Sequence, residues 1–192
     1  MAALRRGFKS EAERISATTR AELGLTLVER LDCSILADHL GIPVISLPEL
    51  ERHGACAKNI RRLVSADSGF SAMTICVGSR RLIVYNAAHS RRRRANSLAH
   101  ELSHVILEHP PMPAIAHGGC RKWDDSLETE ADWLAGALLV PRDGALHWMR
   151  NGGGFDDGAE HYGVSTELFR WRVNQTGVSR QLAARLRKRR RP

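Results

Sequence analysis

His100-Glu101-Leu102-Ser103-His104 constrains this chain more than any other stretch. Two histidines four residues apart share a face only when the segment is helical. The spacing therefore asks for a helix that offers both imidazoles to one ligand, with Glu101 beside them. Such a pair reads as half of a catalytic metal site and suits a metal-dependent hydrolase. Three fixed residues also arise by chance, and two solvated histidines on a surface helix would look the same, so the flanking residues have to decide. Ala95, Leu98, Leu102, Val105 and Ile106 form an apolar stripe at helical spacing, with His100 and His104 roughly opposite. Ser90 is placed to cap the helix, and Pro110-Pro111 stop it soon after Glu108.

The rest of the chain predicts an α+β fold, mostly helical, with a small antiparallel sheet beside this helix. Residues from Ser10 to about Leu40 favour helix, and Leu31, Ile35, Leu36 and Leu40 recur at helical spacing before Gly41. Ile42 to Ile45 reads as a short extended piece, and Leu47 to His53 as a brief helix. Phe70 to Val77 and Arg80 to Tyr85 are rich in β-formers and joined at Gly78-Ser79, which predicts a hairpin, with Ser65 to Gly69 turning into it from a third strand. Pro110 to Lys122, with Pro113, Gly118-Gly119 and Cys120, reads as a loop. A second long helix is expected over Ser126 to Leu139, closed by Pro141. Asn151 to Gly158 reads as a flexible glycine-rich connection, and Val164 to Thr176 as a further helix capped by Ser165.

A chain of 192 residues can bury a core without disulfides. Cys33, Cys56, Cys76 and Cys120 are widely spaced and read as reduced, mostly buried thiols. No apolar run reaches membrane-spanning length and the N-terminus lacks a signal-peptide core, so the expected location is the cytoplasm, with no membrane partner. The formal charge of +8 raises the question of nucleic acid. It is concentrated, however, in Arg91 to Arg94 and in the six basic residues between Arg185 and Arg191, and the remainder is slightly acidic. The terminal run reads as a solvated tail, with contact to nucleic acid or an acidic partner as the alternative.

A catalytic zinc needs a third protein ligand and one open position. Candidates lie on the second long helix, in Glu128-Thr129-Glu130-Ala131-Asp132. At 100° per residue Glu128 and Asp132 share a face and Glu130 points away, so only one glutamate can meet the metal. Glu128 is favoured, because Asp132 one turn on can accept a hydrogen bond from a ligating imidazole. Glu130 is the alternative ligand, and otherwise a solvated surface carboxylate. A capping role for Glu128, with Asp125 at the N-cap, is the reading that competes with ligation.

The ordered set Ile83-Val84-Tyr85-Asn86, Arg91 to Arg94, Ala99-His100-Glu101-Leu102-Ser103-His104, Glu128-Thr129-Glu130-Ala131-Asp132 and Leu138-Leu139-Val140-Pro141 resembles the ImmA/IrrE family of metallo-endopeptidases. Leu36 to Val44 and Val164-Ser165 extend the resemblance over most of residues 20 to 175. Two positions depart from it: Ser103 stands where relatives often carry Gly, and Leu134 where Phe is common. The resemblance implies a zincin-like stand-alone peptidase without an N-terminal helix-turn-helix domain. It implies Zn2+ held by His100, His104 and Glu128, Glu101 as the catalytic base, and Asp132 supporting a ligand. The implied substrate is a helix-turn-helix transcriptional repressor, whose hydrolysis derepresses mobile-element, prophage or stress genes.

The corresponding domain expectation is an N-terminal extension over 1–19, the peptidase domain over 20–175 with a helical part from about 155, and a basic tail over 176–192. His161, Tyr162 and Arg172 are candidates to steady a developing oxyanion. Tyr85 reads as packed, and His89, His109, His117 and His147 lack ligand spacing and are left out of the site. Arg91 to Arg94 could steer an acidic substrate, although arginines at a helix N-terminus oppose the macrodipole. Two rival functions remain at this point: an inactive zinc-bound regulator that only binds a repressor, and a basic nucleic-acid-binding protein.

Overall fold

The computed structural model describes residues 3–65, 67, 69–78, 80–110 and 124–189. Most of the expected loop from Pro110 to Lys122, with Cys120 and His117, lies outside the described residues, as do Ser79 of the hairpin turn and Arg190, Arg191 and Pro192 of the basic run.

The sheet is small and mixed. β2 (Ala72–Val77) and β3 (Arg80–Tyr85) form the expected antiparallel hairpin, with Thr74 opposite Ile83. The third strand is β1 (Val44–Ser46), which pairs parallel to β3 in the order β1-β3-β2. It corrects the expectation of a wholly antiparallel sheet with a strand leading into Ser65 to Gly69. The parallel pairing follows from the connection: α3 (Leu47–Arg52) and α4 (Ala57–Leu63) carry the chain across before the hairpin, and a crossover of that kind lets strands run in one direction. α3 starts with a capping box between Ser46 and Glu49. α4 has no side-chain cap, which is why its short sequence left no signal.

α1 (Phe8–Glu22) continues across residue 20 and buries Phe8, Ala12, Ser16, Thr19 and Arg20. α2 (Cys33–His39) is capped by Asp32 and buries Leu36 and Ala37, while Ile35 is 58% exposed despite its place in the apolar pattern. α5 (Arg91–Ile106) carries the two spaced histidines and starts with Ser90 accepting from Arg93 N. α6 (Asp125–Leu139) is the central helix: from Glu130 to Leu139 every residue but Asp132 is buried. A helix apolar on all sides needs cover on all sides; here α5 lies on one flank, α1 on another, and α9 (Thr166–Gln175) reaches it as well.

The C-terminal third is more helical than its glycines suggest. α7 (Arg142–Arg150) follows Pro141 directly, and α8 (Phe155–Tyr162) occupies much of the stretch expected to be flexible. Gly158 is needed there for packing, since a Cβ would sit 2.5 Å from the Phe169 ring. Ser165 caps α9 as expected, its Oγ accepting from Leu168 N at 3.2 Å. The part of the basic run up to Arg189, expected within a tail, is helical in α10 (Val178–Arg189), which Val178 and Leu182, one turn apart, tie to the core. Among the described residues no helix is long and apolar enough to cross a membrane. Of the described cysteines only Cys33 is buried, with burial pushing its thiol up to about 12, whereas Cys56 is exposed and Cys76 intermediate.

Candidate metal centre

The buried face of α5 consists of Leu98, Ala99, Leu102 and Ser103, with Val105 and Ile106 only partly covered. Relative to the expected stripe, this face is turned toward Ala99 and Ser103, and it leaves His100 and His104 on the flank beside α6. Ser103 fits that position because it is small and because its hydroxyl donates to Ala99 O at 2.7 Å, leaving no polar group unpaired in the interface. Asp124 caps α6, its carboxylate accepting from Ser126 N, so the cap falls one residue before the expected Asp125. Glu128 is thereby free to face α5.

The side chains that meet between the two helices are the ones singled out by spacing. His100 Nε2 lies 3.1 Å from His104 Nε2 and 3.2 Å from Glu128 Oε2, and Glu128 Oε1 lies 3.6 Å from His104 Nε2. One ligand atom from each residue fits within a 4.8 Å group. In a tetrahedral site with ligands at 2.0–2.1 Å, ligand atoms stand about 3.3–3.4 Å apart, so the observed separations bracket the edges of such a site. The donor set, two imidazoles and a carboxylate, is also one that zinc favours.

Charge in the cluster points the same way. Burial raises the Glu128 carboxyl above its ordinary value, with Asp132 and Glu101 adding to the rise and His100 opposing it. Burial pulls His104 down to about 4, helped by the neighbouring His100 and His109. Burial also lowers His100, but the hydrogen bond and charge of Asp132, with Glu101 and Glu128, outweigh it and raise the ring overall. Three carboxylates crowd two imidazoles at this point, and a divalent cation relieves that repulsion without requiring either ring to be charged.

Around the cluster, Asp132 Oδ1 is 2.8 Å from His100 Nδ1, the far nitrogen of the ring. Glu101 stands outside the three-atom group, and its Oε2 accepts from the Thr74 hydroxyl of β2 at 2.7 Å. No signal in the sequence marked Thr74; its strand had to be set against α5 first. Glu130 is not at the cluster and is not on the surface either: it is 8% exposed, and its Oε1 accepts from Arg5 Nε at 2.9 Å. His109, set aside for lack of ligand spacing, is 7% exposed and lies 2.9 Å from His104, Nδ1 to Nδ1. Burial lowers its pKa against the pull of Glu130.

The other sequence candidates have partners elsewhere. His161 meets Val28 O through Nε2 at 2.6 Å and stacks on Trp148. The Tyr162 hydroxyl donates to Leu27 O, and Arg172 is fully buried, donating to Val140 O and paired with Glu13. Tyr85 packs as expected, under the Arg94 guanidinium. His89 sits against Asn86, and His147 against Asn151. The four arginines at the start of α5 are partly committed: Arg92 pairs with Glu160, and Arg93 donates to Ser71 Oγ at 3.1 Å.

Residues 37–174 match the family description Peptidase_M78, the IrrE N-terminal-like domain. A solved structure described as a Mycobacterium tuberculosis transcriptional regulator is 15% identical, with a TM-score of 0.46. The alignment covers 86% of this chain and 46% of that one, so this chain spans less than half of that regulator. No curated protein gives a significant match.

Proposed function

The chain belongs to the Peptidase_M78 family, and on that premise we propose that it is a zinc-dependent endopeptidase in which His100, His104 and Glu128 hold the metal and Glu101 is the general base. The observation that carries the reading is the convergence of His100 Nε2, His104 Nε2 and the Glu128 carboxylate at separations of 3.1 to 3.6 Å. A zinc ion held by these residues would supply Lewis-acid polarisation of the scissile carbonyl and a lowered pKa of water. Glu101 takes a proton from the attacking water as its oxygen bonds to the carbonyl carbon. It then delivers that proton to the amide nitrogen as the C–N bond breaks. Thr74 fixes Oε2 of Glu101, which leaves Oε1 to carry the proton. Asp132 accepts a hydrogen bond from His100 Nδ1 and so keeps Nε2 of that ring turned toward His104 and Glu128.

For substrate we take the class that the family resemblance implies, a helix-turn-helix transcriptional repressor whose cleavage derepresses mobile-element, prophage or stress genes in the cytoplasm. The test compares the wild type with Glu101→Gln on a purified repressor of this class. The variant keeps its zinc and loses cleavage by at least about a hundredfold, the range of a general base. Equal inactivation of the repressor by both forms, with no cut, would replace turnover by simple binding.

A further inference from the structure

His100 has a carboxylate behind it; His104 has a second histidine. α5 ends with Glu108 at φ 55, the one non-glycine residue with positive φ among the described residues. His109 N then donates back to His104 O at 3.0 Å. This closes the helix with the left-handed residue usually supplied by glycine. A side chain in that conformation is strained, and what the turn achieves is to fold His109 under the ring of His104. The two rings meet edge-on at 68°, with Nδ1 to Nδ1 at 2.9 Å. On its other side His109 Nε2 lies 3.7 Å from Glu130 Oε2, and Glu130 Oε1 accepts from Arg5 Nε at 2.9 Å. Arg5 is held in turn by Glu11 at 2.7 Å.

Proton bookkeeping gives this chain a direction. His104 Nε2 faces His100 and Glu128, so a ring that gives Nε2 to a metal carries its proton on Nδ1 and must donate there. The atom that receives it is His109 Nδ1, which obliges His109 to carry its own proton on Nε2, the nitrogen facing the Glu130 carboxylate. We propose that His109, oriented by Glu130, is a positioning residue that fixes the tautomer and ring plane of His104. Asp132 does the same for His100 by a direct carboxylate contact. Glu130, on the α6 face turned away from Glu128, therefore serves the same centre from its far side. This inference rests on His104 being a metal ligand.

The experiment measures zinc affinity of the full chain by competition with a fluorescent chelator, beside the melting temperature of the metal-free protein. His109→Leu removes the acceptor, and zinc binding weakens by roughly 10- to 100-fold, the usual effect of losing such a partner. His109→Gln restores an acceptor oxygen and returns affinity to within about threefold of the wild type, with the visible spectrum of the cobalt-substituted protein unchanged. Should His109→Leu not fold, Glu130→Gln carries the test with a loss of about fivefold. Long-range 1H–15N spectra of the zinc-loaded wild type place the His109 proton on Nε2. Undiminished zinc affinity in His109→Leu or Glu130→Gln would overturn the proposal, as would a Gln variant no better than Leu, or a His109 proton on Nδ1. A wild type that binds no zinc would overturn the metal centre itself, and the chain with it.

Discussion

Thr74 reaches Glu101 from a different element, and its hydroxyl is the contact that sets one carboxylate oxygen of the proposed base. Thr74→Val keeps the branched shape that the strand prefers and removes only the donor. Zinc content and KM stay at wild-type values, and kcat falls about tenfold because a base left to rotate spends less time aligned with the water. Steady-state cleavage with metal analysis checks this, and an unchanged kcat would reduce the contact to packing. At the same scale, the preference for Glu128 over Glu130 rested on the 100° step of a helix, since the two carboxylates cannot share a face, and Glu128 is the one that lies beside His100. The role of His109 was beyond that reasoning. Five residues past His104, it lies off the helical repeat and meets the ring through the reversal at Glu108.

At the level of elements, α6 is held at both ends by charge placed against its backbone. Its N-terminus carries Asp124 as cap with Asp125 and Glu128 in the first turn, which suits the positive end of the dipole. Its C-terminus is closed by buried arginines from other helices. Arg20 donates to Leu138 O at 2.8 Å and also to Thr26 O and Glu29 O, while Arg172 donates to Val140 O at 2.9 Å. Burial draws both guanidiniums below their ordinary pKa, yet each keeps carbonyl partners, and Arg172 also keeps Glu13. Replacing Arg20 with Met leaves the buried Leu138 and Leu139 carbonyls without this donor. A loss of about 3 kcal/mol is expected, or roughly 6–12 °C in Tm for a chain of this size. Thermal denaturation followed by circular dichroism measures it, and a drop under 2 °C would mean that water replaces the side chain. α5 shows the opposite arrangement at its start: Ser90 caps it, but Arg91 to Arg94 lie at the positive end of the helix dipole, where Arg92 is steadied by Glu160 and Arg93 by Ser71.

For the molecule as a whole, the family match begins at residue 37, yet the helix before it belongs to the same core. α1 supplies Arg20, Ser16, whose Oγ donates to Ala137 O at 2.7 Å, and Glu13, which accepts from Arg142 N and pairs with Arg172. Removing residues 1–22 strips the partner from a fully buried arginine, a change that costs about 3–5 kcal/mol before the lost apolar contacts of Phe8 and Ala12 are counted. That approaches the whole stability of a typical domain. The truncated chain is expected to lose its cooperative melting transition, and a sharp transition near the wild-type Tm would show α1 to be dispensable. By itself the sequence determined the helix that carries the two histidines, the hairpin and the caps at Ser90 and Ser165, and it singled out His100, His104, Glu128 and Asp132 as candidates. These follow from periodicity, capping chemistry and the angular step of a helix, all of which act over a few residues. The tertiary structure alone decided that β1 runs parallel to β3, that parts of the glycine-rich and basic stretches become α8 and α10, that Thr74 meets Glu101, and that His109, Glu130 and Arg5 line up behind His104. Those contacts join residues up to 125 positions apart, and local periodicity carries no information about pairs at that separation.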